Sequence, residues 1–324
     1  MGVDISRLRP TAQLLTTLAV GSASNMDGSR YKATSLLFPV PVTEILARYK
    51  RRDPTESLRW EDTSWPLLGN MGSSMLTWAE ETAHLLLKGW TMRHDTRTPD
   101  SDLPGSLLEA EMEEANEKIF LDLEMIAKAF LDDTANYAAG NLTTLTALAG
   151  TQFNQTNTCN PDKVFNDALE ATTLDNNNPT RILAARQRVW NYVAQVPAVI
   201  DKVRGFTGSR DNPLTADSIA KAYNFTEGVS LDAAYDTSPK GSTNIALRRL
   251  WGNNMYALSI NPESTLKDRS FAKLLTLYDG IVAAGEDMSN PRVSEVYVQA
   301  AYKPVSLNIR AGYKITDAIN ASIV

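Results

Sequence analysis

The sequence predicts an α+β fold, in which helices and strands fall in separate blocks and no βαβ unit repeats. Three observations predict it. The segment "SLLEAEMEEANEKIFLDLEMIAKAFLDDTANYAAGN" carries apolar residues at intervals of three and four. The stretch "PTRILAARQRVWNYVAQVPAVIDKVRGF" reads as a short apolar strand followed by two helices that Pro197 separates. The C-terminal "VSEVYVQAAYKPVSLNIRAGYKITDAI" alternates at period two, the spacing of a strand with one buried face.

The totals agree with a packed chain. Its 324 residues suffice for one large or two ordinary domains, and 43% hydrophobic residues is ordinary for a globular protein. With 32 Lys and Arg against 38 Asp and Glu, the net charge of -6 gives no field that would draw in nucleic acid, so a dedicated nucleic-acid reader is disfavoured. The single cysteine, Cys159, forms no internal disulfide, and one thiol with two histidines cannot build a Cys/His zinc site. "TAQLLTTLAVGSAS" imitates a secretory signal only loosely, and "MGVDIS" fits a myristoylation pattern that many unmodified proteins share. The sequons at Asn141, Asn154, Asn224 and Asn320 matter only on a secreted chain. No apolar run reaches membrane-spanning length, and a cytosolic, soluble product is expected.

Residues 1–43 end in "LLFPVPV", where Pro39 and Pro41 enforce an extended path, and they read as an arm. Residues 44–105 hold Trp60, Trp65, Trp78 and Trp90 among charges and breakers, with no clear period, so their rings are expected to find burial against another chain. The long helix follows, with Leu108, Met112, Ala115, Ile119, Leu123, Ile126 and Phe130 on a stripe about 33 Å long. Ser106 with Glu109 is expected to cap its start and Gly140 to close its end. A further helix is expected in "PDKVFNDALEATT", a strand over 182–185, a helix with Val189, Trp190, Val193 and Val196 on one side, and a helix that Thr215 caps. Lys303-Pro304 is expected to separate two terminal strands.

"NIALRRLWGNNMYALSINPE" is read as a hairpin. Ile245, Leu247 and Trp251 share one strand face, Gly252-Asn253-Asn254 makes the turn, and Tyr256, Leu258 and Ile260 lie on the return strand. Arg248 and Arg249 then point to opposite faces, and one of them is expected to meet a neighbouring chain.

Catalytic patterns are absent. The acidic run on the long helix lacks the paired Glu-x-x-His motifs of a di-iron bundle, since the chain offers only Glu81-x-x-His84. There is no nucleophile elbow and no dinucleotide fingerprint, and "PKGSTN" lacks the glycine spacing of a phosphate-binding loop. No spacing supports Cys159 as a nucleophile. These absences exclude no hydrolase that uses unrecognised carboxylates, but they favour a structural role over an enzyme and imply no cofactor or metal.

The order of motifs resembles the major capsid protein of tailed bacteriophages, the family whose fold is named after phage Hong Kong 97. "ATSLLFPVPV" resembles the end of that family's arm, and "ARYKRRDPTESLRW" with "TAHLLLKGWTMRHDTRTPDSDLPGS" the two limbs of its extended loop. "FLDLEMIAKAFLDDTANYAAGN" resembles its spine helix, with Glu124 and Ala127 at the Glu-x-x-Ala positions. "NNPTRILAARQRVWNYVAQVPAVIDKVRGF" is similar to the axial-domain signature, and "RRLWGNNMYALSINP" and "PVSLNIRAGYKITDAI" complete the series.

The resemblance implies an arm (1–43), an extended inter-subunit loop (44–105), a spine helix with the first part of a peripheral domain (106–178), an axial domain (179–280) and peripheral return strands (281–324). It implies a structural protein that self-assembles as hexamers and pentamers into an icosahedral shell around phage dsDNA, held without sequence recognition. A separate scaffolding protein, a portal and a decoration protein are further partner classes, with no membrane. The expected location is the virion, and the host cytoplasm during assembly. The alternative is a nanocompartment of the same fold that houses cargo enzymes. Interface candidates are Trp60, Trp65, Trp78, Trp90, Arg248 and Arg249. Lys88 lies in the loop, but no partner asparagine or catalytic acid is identified, so the cross-linking of some family members is not carried over.

Overall fold

The computed structural model describes residues 31–52, 78–95, 104–146, 149–173, 180–207, 213–238, 243–263, 269–277, 282–287 and 293–320. The chain begins with α1 (Ala33–Leu36), β1 (Pro39–Val42), β2 (Leu46–Arg52), β3 (Trp78–His84) and β4 (Leu86–Asp95). The long helix α2 (Pro104–Asp132) is followed by β5 (Leu142–Thr144), α3 (Pro161–Thr173), β6 (Thr180–Ala185), α4 (Gln187–Val193), α5 (Pro197–Thr207) and α6 (Ala216–Ala222). Strands β7 (Glu227–Ser230), β8 (Ala234–Asp236), β9 (Leu247–Arg249), β10 (Met255–Ile260), β11 (Ala272–Leu277), β12 (Val282–Asp287), β13 (Val293–Ser306) and β14 (Gly312–Thr316) complete it.

Two five-stranded sheets organise the fold. One has the order β5-β14-β10-β6-β7, with β10 antiparallel to both neighbours and the outer strands parallel to theirs. The other joins β1, β11, β13 and β12, with β4 on the far side of β13. Strand β10 is buried at all six positions because each face of its sheet meets a different core. Tyr256, Leu258 and Ile260 pack toward α2 and the arm, whereas Met255 and Ala257 pack with Val189, Trp190 and Val193 of α4. The helix stripe read from Val189, Trp190, Val193 and Val196 is buried as expected, and the indole of Trp190 donates to the Val229 carbonyl at 3.1 Å. Thr215 caps α6 in a reciprocal capping box with Ser218.

Several expectations are corrected. Helix α2 starts at Pro104, where a missing N–H costs nothing, and not at a Ser106 cap. It stops at Asp132, because Asp133 caps the next 3-10 turn by accepting from the Ala135 amide, and Gly140 lies in a second such turn. Its buried face is wider than the stripe: Phe120, Glu124, Ala127 and Leu131 are buried beside Ala115, Ile119 and Leu123. Most of the described part of 44–105 is strand, not irregular chain. Strands β2 and β3 form a two-stranded antiparallel ribbon in which "LARYKRR" faces "WAEETAH", with Lys50 opposite Glu80 and Tyr49 opposite Glu81. The Tyr49 hydroxyl donates to the Glu81 carboxylate across the strands, and apolar alternation gives no sign of this ribbon.

Strand β13 runs straight through Pro304, for about 46 Å at the usual strand rise. Pro304 is opposite Leu274, whose amide donates to the Phe38 carbonyl on the β1 side. The pair is therefore a non-hydrogen-bonded one, and the proline nitrogen faces the side where β4 pairing has ended at Tyr302. The chain turns instead at 307–311. Strand β11 pairs with β13, and β14 pairs with β10, so each sheet joins segments far apart in the sequence.

The hairpin read over 245–260 does not form. Strand β9 pairs with β8, while β10 pairs with β6 and β14. Trp251 is 2% exposed, but Ile245 and Leu247 are 73% and 69% exposed, so the three do not share a buried face. Pairing with β6 and β14 satisfies both edges of β10 and sets it at the centre of a sheet with a core on each face, which a two-stranded hairpin cannot provide.

Candidate assembly interface

The spine helix carries two polar junctions. At the first, the buried Glu124 carboxylate joins three parts of the chain. One oxygen accepts the Ala33 and Lys32 amides at the start of α1, at 2.8 and 3.0 Å, and the other accepts the Trp251 indole at 2.8 Å. Burial raises the Glu124 pKa above the ordinary carboxylate value, against the opposing pull of the indole and the two amides. Beside it, Tyr31 stacks on Phe120 with ring centroids 5.9 Å apart. The arm is thus fastened to the spine by a buried charge and by stacking.

The second junction is at the helix end. Asp132 accepts from Tyr256 at 2.6 Å, from Asn254 at 2.8 Å and from Lys128 at 2.6 Å, and its own carbonyl accepts from the nearly buried Lys314 of β14. Burial alone would raise the Asp132 pKa, but the bonds from Lys128, Tyr256 and Asn254 outweigh it and hold the group below its ordinary value. A carboxylate at a helix C-terminus opposes the macrodipole, and Lys128 and Lys314 offset that cost. This junction locks the spine to the β10 sheet. Its sequence signal was Lys128 four residues before Asp132; Tyr256, Asn254 and Lys314 had none.

The sequence-predicted interface residues lie apart from these junctions. Trp60 and Trp65 fall outside the described residues, and Trp78 opens β3. Trp90 on β4 is 42% exposed, with the Lys118 ammonium 3.9 Å over its ring, so α2 covers it only in part. Leu86, Leu87, Ile45 and Leu46, at the root of the β2–β3 ribbon and along β4, are also exposed. Lys88 is engaged within the chain, 3.1 Å from Asp122, which also accepts the Tyr302 hydroxyl at 2.8 Å. Arg248 and Arg249 are both exposed on β9, and Arg249 donates to the Asp232 carbonyl at 2.6 Å. Among the described residues no cluster of His, Cys, Asp or Glu could hold a metal ion, and no helix is long and apolar enough to cross a membrane.

This architecture, with a spine helix, two sheets and a ribbon of two strands, has solved counterparts. A phage-related protein from Bordetella bronchiseptica RB50 superposes with a TM-score of 0.69 over 93% of this chain and 96% of that one, at 18% identity. The capsid protein of cyanophage P-SCSP1u gives 0.57 over 87% and 86%, at 10% identity. The fold is that of phage capsid proteins. A virus-like particle protein from Pyrococcus furiosus has it too, at a TM-score of 0.51, 11% identity and coverage of 94% and 98%. No family model matches the chain, and no curated protein does.

Proposed function

We propose that the chain is the major capsid protein of a tailed phage of the Hong Kong 97 type, assembling as hexamers and pentamers into an icosahedral shell around dsDNA. The carrying observation is that the capsid fold spans nearly the whole of both chains in the match to the phage-related Bordetella protein. The exposed Leu46, Leu86, Leu87 and Trp90 support it, because a row of apolar groups on a two-stranded ribbon and an edge strand is costly in water and is covered when copies pack. On this reading residues 44–105 reach across a neighbour, Trp60, Trp65, Trp78 and Trp90 contribute to that contact, and the protein is not an enzyme. A scaffolding protein, a portal and a decoration protein act with it, and it resides in the virion after assembly in the host cytoplasm. The likeness to a virus-like particle protein supports a second reading, a shell of the same fold that houses protein cargo instead of a genome.

Size-exclusion chromatography with negative-stain microscopy tests the proposal. Closed particles or capsomer rings are expected from the purified chain, with or without a scaffold, and a persistent monomer would sink it. Nuclease-protected DNA in particles from the native source supports the phage reading, and enclosed enzyme supports the second. Deletion of 53–77 tests the loop alone, since β4 pairs with β13 over 86–95 and must be kept. A soluble chain that no longer closes shells is expected; normal closed particles would contradict the loop's role.

A further inference from the structure

Three arginines from two elements, Arg186 and Arg188 at the start of α4 and Arg249 of β9, gather at one end of the β10 sheet. Strand β6 ends at Ala185 opposite Ser230 of β7, and Arg186 follows at the cap of α4, with Arg188 in its first turn. The Leu231 amide donates to the Ala185 carbonyl at 3.0 Å, which sets Asp232 beside Arg186. Asp232 then ties the ribbon down: its carbonyl accepts from Arg249 of β9 at 2.6 Å, and its carboxylate accepts the Ser230 hydroxyl at 2.7 Å. Across the ribbon Ala234 is opposite Arg249 and Tyr235 is opposite Arg248. A second acid of the ribbon, Asp236, is opposite Leu247 and accepts from Ser238 and the Ala246 amide. Among the described residues none of the three arginines forms an ion pair. Arg186 titrates below its ordinary value because it is partly buried and because Arg188 and Arg249 repel it, with Asp232 opposing. This repulsion marks a concentration of positive charge on a chain whose net charge is -6.

The same ribbon presents Leu247 on the Arg249 face, and Ile245 just before it, both about 70% exposed. A surface made for nucleic acid has no use for two bare aliphatic side chains, whereas a protein interface combines arginines with an apolar centre. We infer that Arg186, Arg188 and the β8–β9 ribbon form a docking surface for an acidic face of a second copy of this chain, with Ile245 and Leu247 as its apolar centre. The inference rests on the shell reading and adds the face through which adjacent copies meet. The contact is heterologous, basic surface to acidic surface, the kind that generates rings when the rotation closes. Two copies of the basic surface repel each other, so a face-to-face pair through it is disfavoured.

The full chain is tested by sedimentation velocity at low and high NaCl, with three forms compared: wild type, Arg188→Glu/Arg249→Glu and Ile245→Ser/Leu247→Ser. Wild type is expected to associate, about tenfold more weakly at high salt. The charge-reversed form is expected to associate at least about tenfold more weakly at low salt, with little salt dependence left. The serine form is expected to weaken association while keeping the salt dependence. Ile245 and Leu247 are exposed, so the serine form folds even if charge reversal does not, and it decides the matter with the wild-type salt series. A chain that is monomeric throughout overturns the shell reading and this inference together. Shells that form with neither variant nor salt affecting association overturn the arginine surface alone. Binding of a duplex DNA oligonucleotide that the charge reversal abolishes, with association between copies unchanged, identifies nucleic acid as the partner and also overturns it.

Discussion

Replacing Glu124 tests how the arm is held. Its carboxylate is the acceptor for the Ala33 and Lys32 amides and the Trp251 indole, at 2.8 to 3.0 Å. Glu124→Ala leaves the three donors without that acceptor in a buried site. A hydrogen bond to a charged group contributes about 1.5–3 kcal/mol net and a stranded buried donor costs about 1–3 kcal/mol. The relief of burying a carboxylate offsets part of this, which leaves a loss of about 3 kcal/mol. Glu124→Gln keeps a carbonyl acceptor but turns an amino group toward one set of donors, for a loss of about 1–2 kcal/mol. Because α1 is four residues long, its amides depend on this anchor more than on their own helix. Hydrogen exchange followed by mass spectrometry reads the effect locally. Residues 31–37 are expected to exchange on the order of 100-fold faster in Glu124→Ala, with α4 and β10 much less affected. Unchanged protection at 31–37 would refute the reasoning. The pH dependence has a definite sign. The folded pKa is raised above 4.5, so the folded state binds the proton more tightly, and this group's contribution is fullest below the unfolded pKa. That contribution declines as pH rises through the folded value, and Glu124→Gln is expected to remove the decline.

Asp132 has the opposite sign: its folded pKa lies below 3.8, so its contribution is present above the unfolded value and is lost as pH falls through the folded one. Acid denaturation of Asp132→Asn is expected to begin from a lower stability and to lack that loss, as followed by Tyr and Trp fluorescence; a profile parallel to wild type would contradict the junction. At Gly312, a Cβ would run into the Phe271 ring, which also stacks on Tyr137 with centroids 4.9 Å apart. Gly312→Ala is expected to cost about 1–3 kcal/mol by overpacking, seen as a lower thermal midpoint.

Much of the fold was legible because its signals are local. The period of α2, the α4 stripe with Trp190, the Thr215 cap and the strand at 182–185 are each written in neighbouring residues, and each is present in the structure. The errors share a cause. Pro304 reads as a breaker until a partner strand supplies a register in which its nitrogen has nothing to bond. Strands β2 and β3 read as irregular because they are mostly polar and charged and their partners lie tens of residues apart. The 245–260 hairpin was plausible from its turn residues, yet β10 has better partners far away in sequence, in β6 and β14. Of the candidate interface residues, Trp90, Arg248 and Arg249 are exposed among the described residues, and their role in contacts between copies remains the proposal made above. Arg186 and Arg188 were hidden within a helix signature, where a charge near a cap reads as ordinary solvation.

By itself the sequence determined the class of the fold, the long helix, the helical lobe and the lack of catalytic motifs, because these follow from composition and from periods of two and 3.6 residues. Tertiary structure alone decided which strands pair, that Glu124 and Asp132 become buried junctions, and that Arg186, Arg188 and Arg249 from distant segments meet near Asp232. Those outcomes depend on contacts between residues tens to more than a hundred positions apart, where burial and opposing charge, and not local preference, select the partner.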